Sequence, residues 1–372
     1  MARNTSQPTN VVTFDTDPTG REDTHMRVAR AEFAKRLAQF RGSAFAGEYD
    51  RSASYDGPLC FLPSDTLVEP LAAELGIRSE EDLFGGVVRH PFVATKVISH
   101  PLVEPSAVAP PGWSEEFGRR VRDTVLSGIS VFTHDDAQKA GALLLARGPV
   151  RTKPAQATSG RDQNVVANVG ELKAVLDVIP PSALARFGLV IEENLTGIET
   201  YSVGQVRVAG FVASYHGTQR LTRDNEGEVV YGGSDLVVAR GGFEALLELG
   251  LEAEIRLAVS HARTYDAAAF EEFSGLFASR RNYDVIAGLD AGGHRRVGVL
   301  EQSWRFGGAS AAEIGALEAF RAEPGLAAVR ASTFEAYGQA GPPQGAILYY
   351  RGSEERIGPM CRYAMVEPYV DA

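Results

Sequence analysis

Cysteine is scarce in this chain: two residues, Cys60 and Cys361, in 372. They lie far apart, with no CxxC and no Cys/His pair at zinc spacing, which argues against a disulfide scaffold and a structural zinc site. Two buried thiols in a reducing compartment are the expectation. Long apolar runs are missing too. No stretch approaches the roughly 18 residues that a membrane-spanning helix requires. The opening MARNTSQPTNVVTFDTDPTG lacks the apolar core of a signal peptide. A cytoplasmic protein with no membrane partner is expected. Basic charge is in deficit, with 37 Lys and Arg against 48 Asp and Glu and a formal net charge of -11. A nucleic-acid surface needs a basic stripe, so nucleic acid is excluded as the main partner. The phosphate loop GxxxxGK[ST] is absent, as is a strand-bound GxGxxG, and no Ser/His/Asp or Cys/His arrangement presents itself.

What is present is an ordinary globular composition on a chain longer than the roughly 250–300 residues at which a single core stops growing, so two or three subdomains are expected. Val11 to Phe14 reads as a short strand. Met26, Ala29, Phe33, Leu37 and Phe40 mark a helix from Thr24 to Phe40. Pro58 to Pro63 reads as a buried strand feeding a helix from Thr66 to Leu75, and strand, helix, strand, helix make an α/β half-domain. Glu80 to Val103 carries Arg89, His90, Lys96 and His100, each a candidate anion contact and each also readable as a solvated loop residue. Trp113, Phe117, Val121 and Val125 step by four along a helix that Gly128 stops, and Thr133 with Asp135 can cap a helix from Asp136 to Ala146.

From Gly148 the pattern changes. Pro149, Arg151 and Lys153 share one face of a strand, and Ala155 to Asp162 is a small-residue turn. Glu171 to Ile179 steps as a helix. Phe187 to Glu193 is a buried strand that ends in acids. Tyr201 to Tyr215 alternates and is expected to turn at Val203 to Gln205. A second hairpin is expected to turn at Asp224 to Gly227, and helices at Phe243 to Leu249 and Ala253 to Ala262. Tyr283 to Gly288 and Val297 to Glu301 then flank a turn at Asp290 to Gly293.

The most informative stretch is Val297 to Ser310, VGVLEQSWRFGGAS. Glu301 stands near a strand end and Arg305 follows. Gly307 and Gly308 allow close backbone approach, and Ser310 can cap a helix over Ala311 to Glu323. A carboxylate, a guanidinium and a helix N-terminus within ten residues suit a polyanion and its metal. With the last turn centred between Ala291 and Gly292, Asp284 faces Val299, one same-face step from Glu301.

Over roughly Arg119 to Ala319 these parts, in this order, resemble the ATP-grasp superfamily of ATP-dependent carboxylate-amine ligases. DLFGGVV, NYDVIAGLD and EQSWRFGGAS are also similar to a proteobacterial ATP-grasp-like family of unknown function. The resemblance implies an α/β (α+β) fold with an N-terminal Rossmann-like half-domain over residues 1–110. It also implies one grasp subdomain over 111–195, and a second over 196–372 with a C-terminal extension. Lys153 would bind the α- and β-phosphates. A loop with Ser159, Gly160 and Arg161 would close over the triphosphate. The backbone from Glu192 and Glu193 to Leu195 would read adenine, and Glu199 the ribose. Asp284, Glu301 and Ser303 would hold Mg2+, with Mn2+ as the alternative ion, and Arg305 would act with Lys153 in catalysis. The family's acid-x-Asn-Pro-Arg stands here as Glu301-Gln302-Ser303-Trp304-Arg305, with Ser for Asn and Trp for Pro. Lys96, Arg119, Arg120 and Arg122 are the candidates for a second phosphate contact. The implied function is an ADP-forming ligase acting on a small-molecule carboxylate and an amine or thiol, in a chain that could form a homodimer. The alternatives are a non-catalytic nucleotide-binding protein and a kinase acting on a hydroxyl. Taken singly, Lys153 also reads as an edge-strand lysine, Glu301 as a salt-bridged strand end and Glu199 as a solvated hairpin residue.

Overall fold

Parallel pairing opens the molecule. The computed structural model describes residues 10–17, 23–156 and 162–369. Strands β1 (Asn10–Phe14), β2 (Ala44–Glu48) and β3 (Leu59–Pro63) form a parallel sheet in the order β2-β1-β3, with helix α1 (Thr24–Arg41) between the first two. The helix lays Phe33 and Leu37, both fully buried, against Val11 and Leu62, and it ends at Gly42, whose φ of 68° is left-handed. A continuous helix after β3 is not formed. Residues there make β4 (Leu67–Val68) and a single short helix, α2 (Glu69–Glu74), with Pro70 in its first turn. β4 pairs in parallel with β5 (Gly86–Val88).

The next unit is an antiparallel sheet. It follows α3 (Glu115–Val121) and contains β6 (Gly128–Val131), α4 (His134–Leu145), β7 (Val150–Pro154), β8 (Asn164–Val166), α5 (Val169–Asp177), α6 (Pro181–Phe187) and β9 (Leu189–Glu193), in the strand order β6-β9-β7-β8. Ala137, Ala140 and Leu144 of α4 and Leu172 and Leu176 of α5 pack on its inner residues Val131, Val150 and Ile191. The expected helix through Val125 stops at Val121, because Val125 leaves to bridge a strand of the large sheet at Val299.

The remainder is dominated by one sheet. Along the chain come β10 (Thr196–Val208), β11 (Phe211–Arg223), β12 (Val229–Arg240), α7 (Phe243–Leu247), α8 (Ala253–Glu272), β13 (Phe277–Ala278), β14 (Arg280–Leu289), β15 (Arg295–Ser303), α9 (Ser310–Ala322), β16 (Ala328–Tyr337), β17 (Ile347–Glu354) and β18 (Gly358–Pro368). Eight strands pair antiparallel in the order β15-β14-β10-β11-β12-β16-β18-β17. One face carries Val203, Tyr283, Val285 and Val299 against α8 residues such as Val259 and Tyr265. The other carries Val206, Tyr215, Leu236 and Ala331 against Ile314 and Leu317 of α9 and Phe33 of α1. The segment after α9, expected only as an extension, supplies three of the eight strands. Strand β13 pairs with β5, tying the small β4-β5 pair to the entry of β14.

Three local expectations are corrected. First, β10 does not turn at Val203 to Gln205. It runs straight through, and the turn falls at Ala209 and Gly210, whose φ values of 50° and 79° are the pair a tight two-residue hairpin loop demands. Gly204 is a close-packing position instead, since a Cβ there would lie 2.4 Å from both the Arg281 carbonyl and the Tyr215 hydroxyl. Second, α8 continues to Glu272, well past Ala262. Third, Ser310 does not cap α9 from outside. It is the helix's first residue, and its hydroxyl accepts a 3.0 Å bond from the Gly307 N–H.

Replacing Gly204 by alanine forces either the β10–β14 ladder or the Tyr215 ring to move, at a cost of about 1–3 kcal/mol. A urea denaturation series is expected to show the midpoint of Gly204→Ala lowered, and an unchanged midpoint would contradict this packing.

Candidate functional site

The site is built on the β14–β15 hairpin, and its register decides which acids meet. The turn does not centre between Ala291 and Gly292. Asp290 donates its N–H to the His294 carbonyl, Gly293 has a φ of 79°, and Leu289 faces Arg295. A loop of odd length results. A bulge at Leu300 then shifts the register once more, so Asp284 faces Glu301 directly rather than Val299. Sequence arithmetic gave a one-step offset; the odd loop and the bulge remove it.

Asp284 is half-buried, and its Oδ1 accepts hydrogen bonds from Gln219 Nε2 (3.1 Å), Asn282 Nδ2 (3.1 Å) and Ser202 Oγ (3.4 Å). Burial, then the charge of Glu301, pushes its carboxyl up to about 6. Glu301 has its own cation: Lys96 Nζ lies 2.8 Å from Oε2, and the lysine is only 4% exposed. Lys96 begins a single 3-10 turn, Lys96–Ser99, capped by Thr95. That turn is pinned to β15 by Gln302, whose amide donates to the Val93 and Thr95 carbonyls at 2.7 and 2.9 Å while accepting from Tyr265.

Ser303 pairs across the ladder with Asn282, and Arg280 Nη1 approaches both its Oγ (3.4 Å) and its carbonyl (3.3 Å). The same guanidinium donates to the Arg305 carbonyl at 2.9 Å and to both carboxylate oxygens of Glu313 on α9. Arg280 and Glu313 are 2% and 0% exposed in their side chains. Removing one partner of a pair this buried costs about 3–5 kcal/mol, because the other charge is stranded. Trp304 is fully buried, donates from Nε1 to the Tyr283 hydroxyl at 3.3 Å, and meets the ring of Phe270 edge-on. Gly86 has no room for a Cβ, which would come within 2.7 Å of Trp304 Cβ; the GG of DLFGGVV lies against the Trp304 backbone and Cβ. Arg305 is one-third exposed and faces the N-terminal unit, with Nε 3.5 Å from Asp65. Thr66 donates to the Trp304 carbonyl at 3.1 Å, closing the same junction.

A second charged group lies where β9 meets β7. Glu192, 2% exposed, takes the Lys153 ammonium on Oε1 and His100 Nε2 at 3.1 Å on Oε2. Burial pushes this carboxyl up, but Lys153 and His100 together hold it down to about 2. Lys153 is 4% exposed and pairs between strands, so it is not a solvated edge lysine. Glu193 accepts from the Ser127 N–H at 2.9 Å and lies 3.3 Å from Arg296. Its own amide is spent on Ser127, and that of Asn194 on Pro149. Leu195 packs with Leu126 and Ile286, and with Leu300, in a small apolar patch between the two antiparallel sheets. Glu199 is exposed and shares the Tyr201 hydroxyl with Glu254, which Arg295 grips on both oxygens. Ser159, Gly160 and Arg161 lie outside the described residues. Of the helix arginines, Arg119 and Arg120 are engaged with Glu116, Glu271 and Glu272.

The chemistry of these donors is that of a hard cation. Asp284, Glu301 and Ser303 offer only oxygen, and among the described residues no group of three His, Cys, Asp or Glu side chains could hold a metal by itself. Two carboxylates with the other positions left to phosphate and water is the set Mg2+ prefers. Lys96, His100, Gln219, Asn282, Arg280 and Glu313 complete the surroundings, the last four of them not assigned from sequence. Lys96 and His100 had surfaced as anion contacts, and Lys96 as a candidate second phosphate contact; no local signal pointed to the glutamates they meet.

The family described as protein of unknown function (DUF3182) matches residues 11–364, nearly the whole chain. The chain belongs to that family. Among solved structures, the phosphoribosylamine–glycine ligase of Thermotoga maritima is similar over 97% of this chain and 92% of its own, at 14% identity and a TM-score of 0.51. D-alanyl-alanine synthetase A of Vibrio cholerae (12% identity, 80% of this chain and 89% of that one, TM-score 0.43) and a D-cycloserine synthetase (11%, 80% and 92%, 0.42) also match. No curated protein matches the sequence. The fold is that of the ATP-grasp ligases. No helix among the described residues is long and apolar enough to cross a membrane.

The raised carboxyl of Asp284 has a thermodynamic sign. The folded chain holds that proton up to about pH 6, whereas an unfolded Asp releases it near about pH 4. The associated stability is full below the lower value and is lost as pH rises through the upper one. Asp284→Asn is therefore expected to raise the melting temperature of the metal-free protein by a few degrees at neutral pH. The gain should fade as pH falls below about 6. Scanning fluorimetry in EDTA across this range checks it; a variant that melts below the wild type at neutral pH contradicts it.

Proposed function

We propose that this protein is a Mg2+- and ATP-dependent ligase. In this reading an oxygen of a small carboxylate attacks the γ-phosphorus, ADP leaves, and the resulting acylphosphate is captured at its acyl carbon by an amine or thiol with loss of phosphate. The observation that carries it is the Asp284–Glu301 pair directly opposite each other on the ladder with Lys96 beside it, in a chain with the ATP-grasp fold. Bound Mg2+ would neutralise and orient the terminal phosphates between those two carboxylates, with Ser303 at hand. Lys96 and Lys153 would exchange their glutamates for phosphate oxygens. Leu195, Ile286 and Leu300 would sandwich the base, the hinge backbone up to Leu195 would read its edge, and Glu199 would reach the ribose. Arg305 and the Gly307–Gly308 entry to α9 would face the reacting phosphoryl group and the acceptor. Small-molecule carboxylates and amines are the partners this chemistry selects.

A second reading, a chain that binds nucleotide without turning it over, is favoured by Ser303. A hydroxyl stands where the related motif has an amide, and it is already approached by Arg280 at 3.4 Å. Release of ADP in the presence of amino-acid mixtures separates the two.

ATP or ADP with Mg2+ is expected to raise the melting temperature; at a hundredfold excess over Kd the linkage is worth about 2.7 kcal/mol. Lys153→Met and Glu301→Gln are each expected to weaken that nucleotide at least about tenfold, as loss of a charge-assisted contact does. No thermal shift with either nucleotide would end the nucleotide assignment, and unaltered binding in both variants would move the site elsewhere on the same fold.

A further inference from the structure

Lys153, Glu192 and His100 form a closed electrostatic unit. With a neutral imidazole its charges sum to zero, one ammonium against one carboxylate, in a place where all three side chains are at most 5% exposed. The proposed function asks Lys153 to leave this unit for a phosphate. Glu192 would then be a buried anion whose remaining partner is His100, and a stranded buried charge is strongly unfavourable. We propose that His100 is a positioning residue that takes up a proton as Lys153 transfers to the nucleotide, so that nucleotide binding is coupled to proton uptake. This rests on Lys153 being a phosphate ligand.

The surroundings of His100 favour a proton over a movement. Its ring lies against Gly128, where a Cβ would come within 2.8 Å of three ring atoms. The chain on either side is fixed by Ser130, whose hydroxyl donates to the Val97 carbonyl and whose amide donates to the Pro101 carbonyl. The ring therefore cannot swing away when Lys153 departs. Nε2 already points at Glu192, so it carries the hydrogen of the neutral ring. Nδ1 is buried with no hydrogen-bond partner among the described residues, so it is the ring nitrogen open to the proton, and the drive for uptake comes from the Glu192 charge rather than from an acceptor at Nδ1. The charged groups facing the ring are Glu192 from β9 and Lys153 from β7. From β6 come Gly128 and Ser130, neither of them charged. On its own segment Lys96 is turned to Glu301, and α3 presents Phe117 and Val121 to this core with its arginines engaged outside.

The consequence is a pH dependence with a fixed sign. Proton uptake on binding makes affinity strongest at low pH and weakens it, by up to about tenfold per unit, as pH rises through the imidazole range. The test is calorimetric titration of the full chain with ADP at several pH values. Buffers of different ionisation enthalpy are used, for the wild type and for His100→Gln, which keeps an N–H for Glu192 and cannot take the proton. The wild type is expected to take up more protons than the variant. Its affinity should exceed the variant's near pH 6 and converge with it near about pH 9. Titration of the ADP phosphates and of Asp284 is common to both proteins and cancels. Glu192→Gln, which removes the anion that needs the proton, is expected to abolish the uptake as well. Equal proton counts and parallel pH profiles in wild type and variants, with ADP binding intact, would overturn the proposal. If the wild type does not bind ADP at all, the nucleotide reading itself fails.

Discussion

Two carboxylates placed directly opposite each other, at the end of a half-buried strand pair, repel each other through a medium less polar than water, and the fold must keep that repulsion in check. Much of this protein can be understood as its answer. Asp284 is drawn toward its protonated form and held by three donors from three strands. Glu301 is met by an ammonium that arrives from a different part of the chain. The turn that delivers Lys96 is in turn riveted to β15 by Gln302, so the acid and its cation are fixed by neighbouring residues of one strand. On the proposed function this is an arrangement of charges in which a more highly charged cation and a polyanion would replace the internal partners.

The same logic recurs at the other pole. Glu192 holds Lys153 in reserve, as Glu301 holds Lys96, so both lysines that a triphosphate would recruit are kept ordered by glutamates. Pre-positioned cations lose little side-chain entropy on binding, but each must first be taken from a carboxylate. Beneath the first pole sits a different device. Arg280 and Glu313 are neutralised by each other and by their neighbours, and they use that buried fork to set the path of the backbone from Ser303 to Arg305. With Trp304 sunk in the core, this segment is held by its middle rather than its tips.

The elements legible in the sequence were those with local signatures. The acid-ended strand at Glu193, the Lys153 strand and the β14–β15 hairpin each follow from alternation bounded by turn residues. Register was harder, because an odd-length loop and a bulge leave no compositional mark, and only the ladder shows Asp284 opposite Glu301. Gly204 was misread since glycine signals both a turn and a tight contact, and only the neighbouring Tyr215 ring tells them apart. The partnerships of Lys96 with Glu301, His100 with Glu192 and Arg280 with Glu313 join residues far apart in the chain or stand on 3-10 turns without periodicity. The three final strands, whose alternation is irregular in burial, went unread for the same reason: their pattern is set by what covers each face.

Helix α1 and strand β17 come from opposite ends of the described chain and yet pack together, with His25 beside Glu354 and Arg36 beside Glu318 of α9. The helix thus presents part of its inner surface to elements that are synthesised some 300 residues later. During translation that surface stays open until those elements have emerged, and loop closure over such a span is slow. The early half-domain can settle its own parallel sheet at once, but its final berth is completed only when the last hairpin docks. Folding of this protein is therefore expected to finish where its two extremities meet, well away from the charges that make the site.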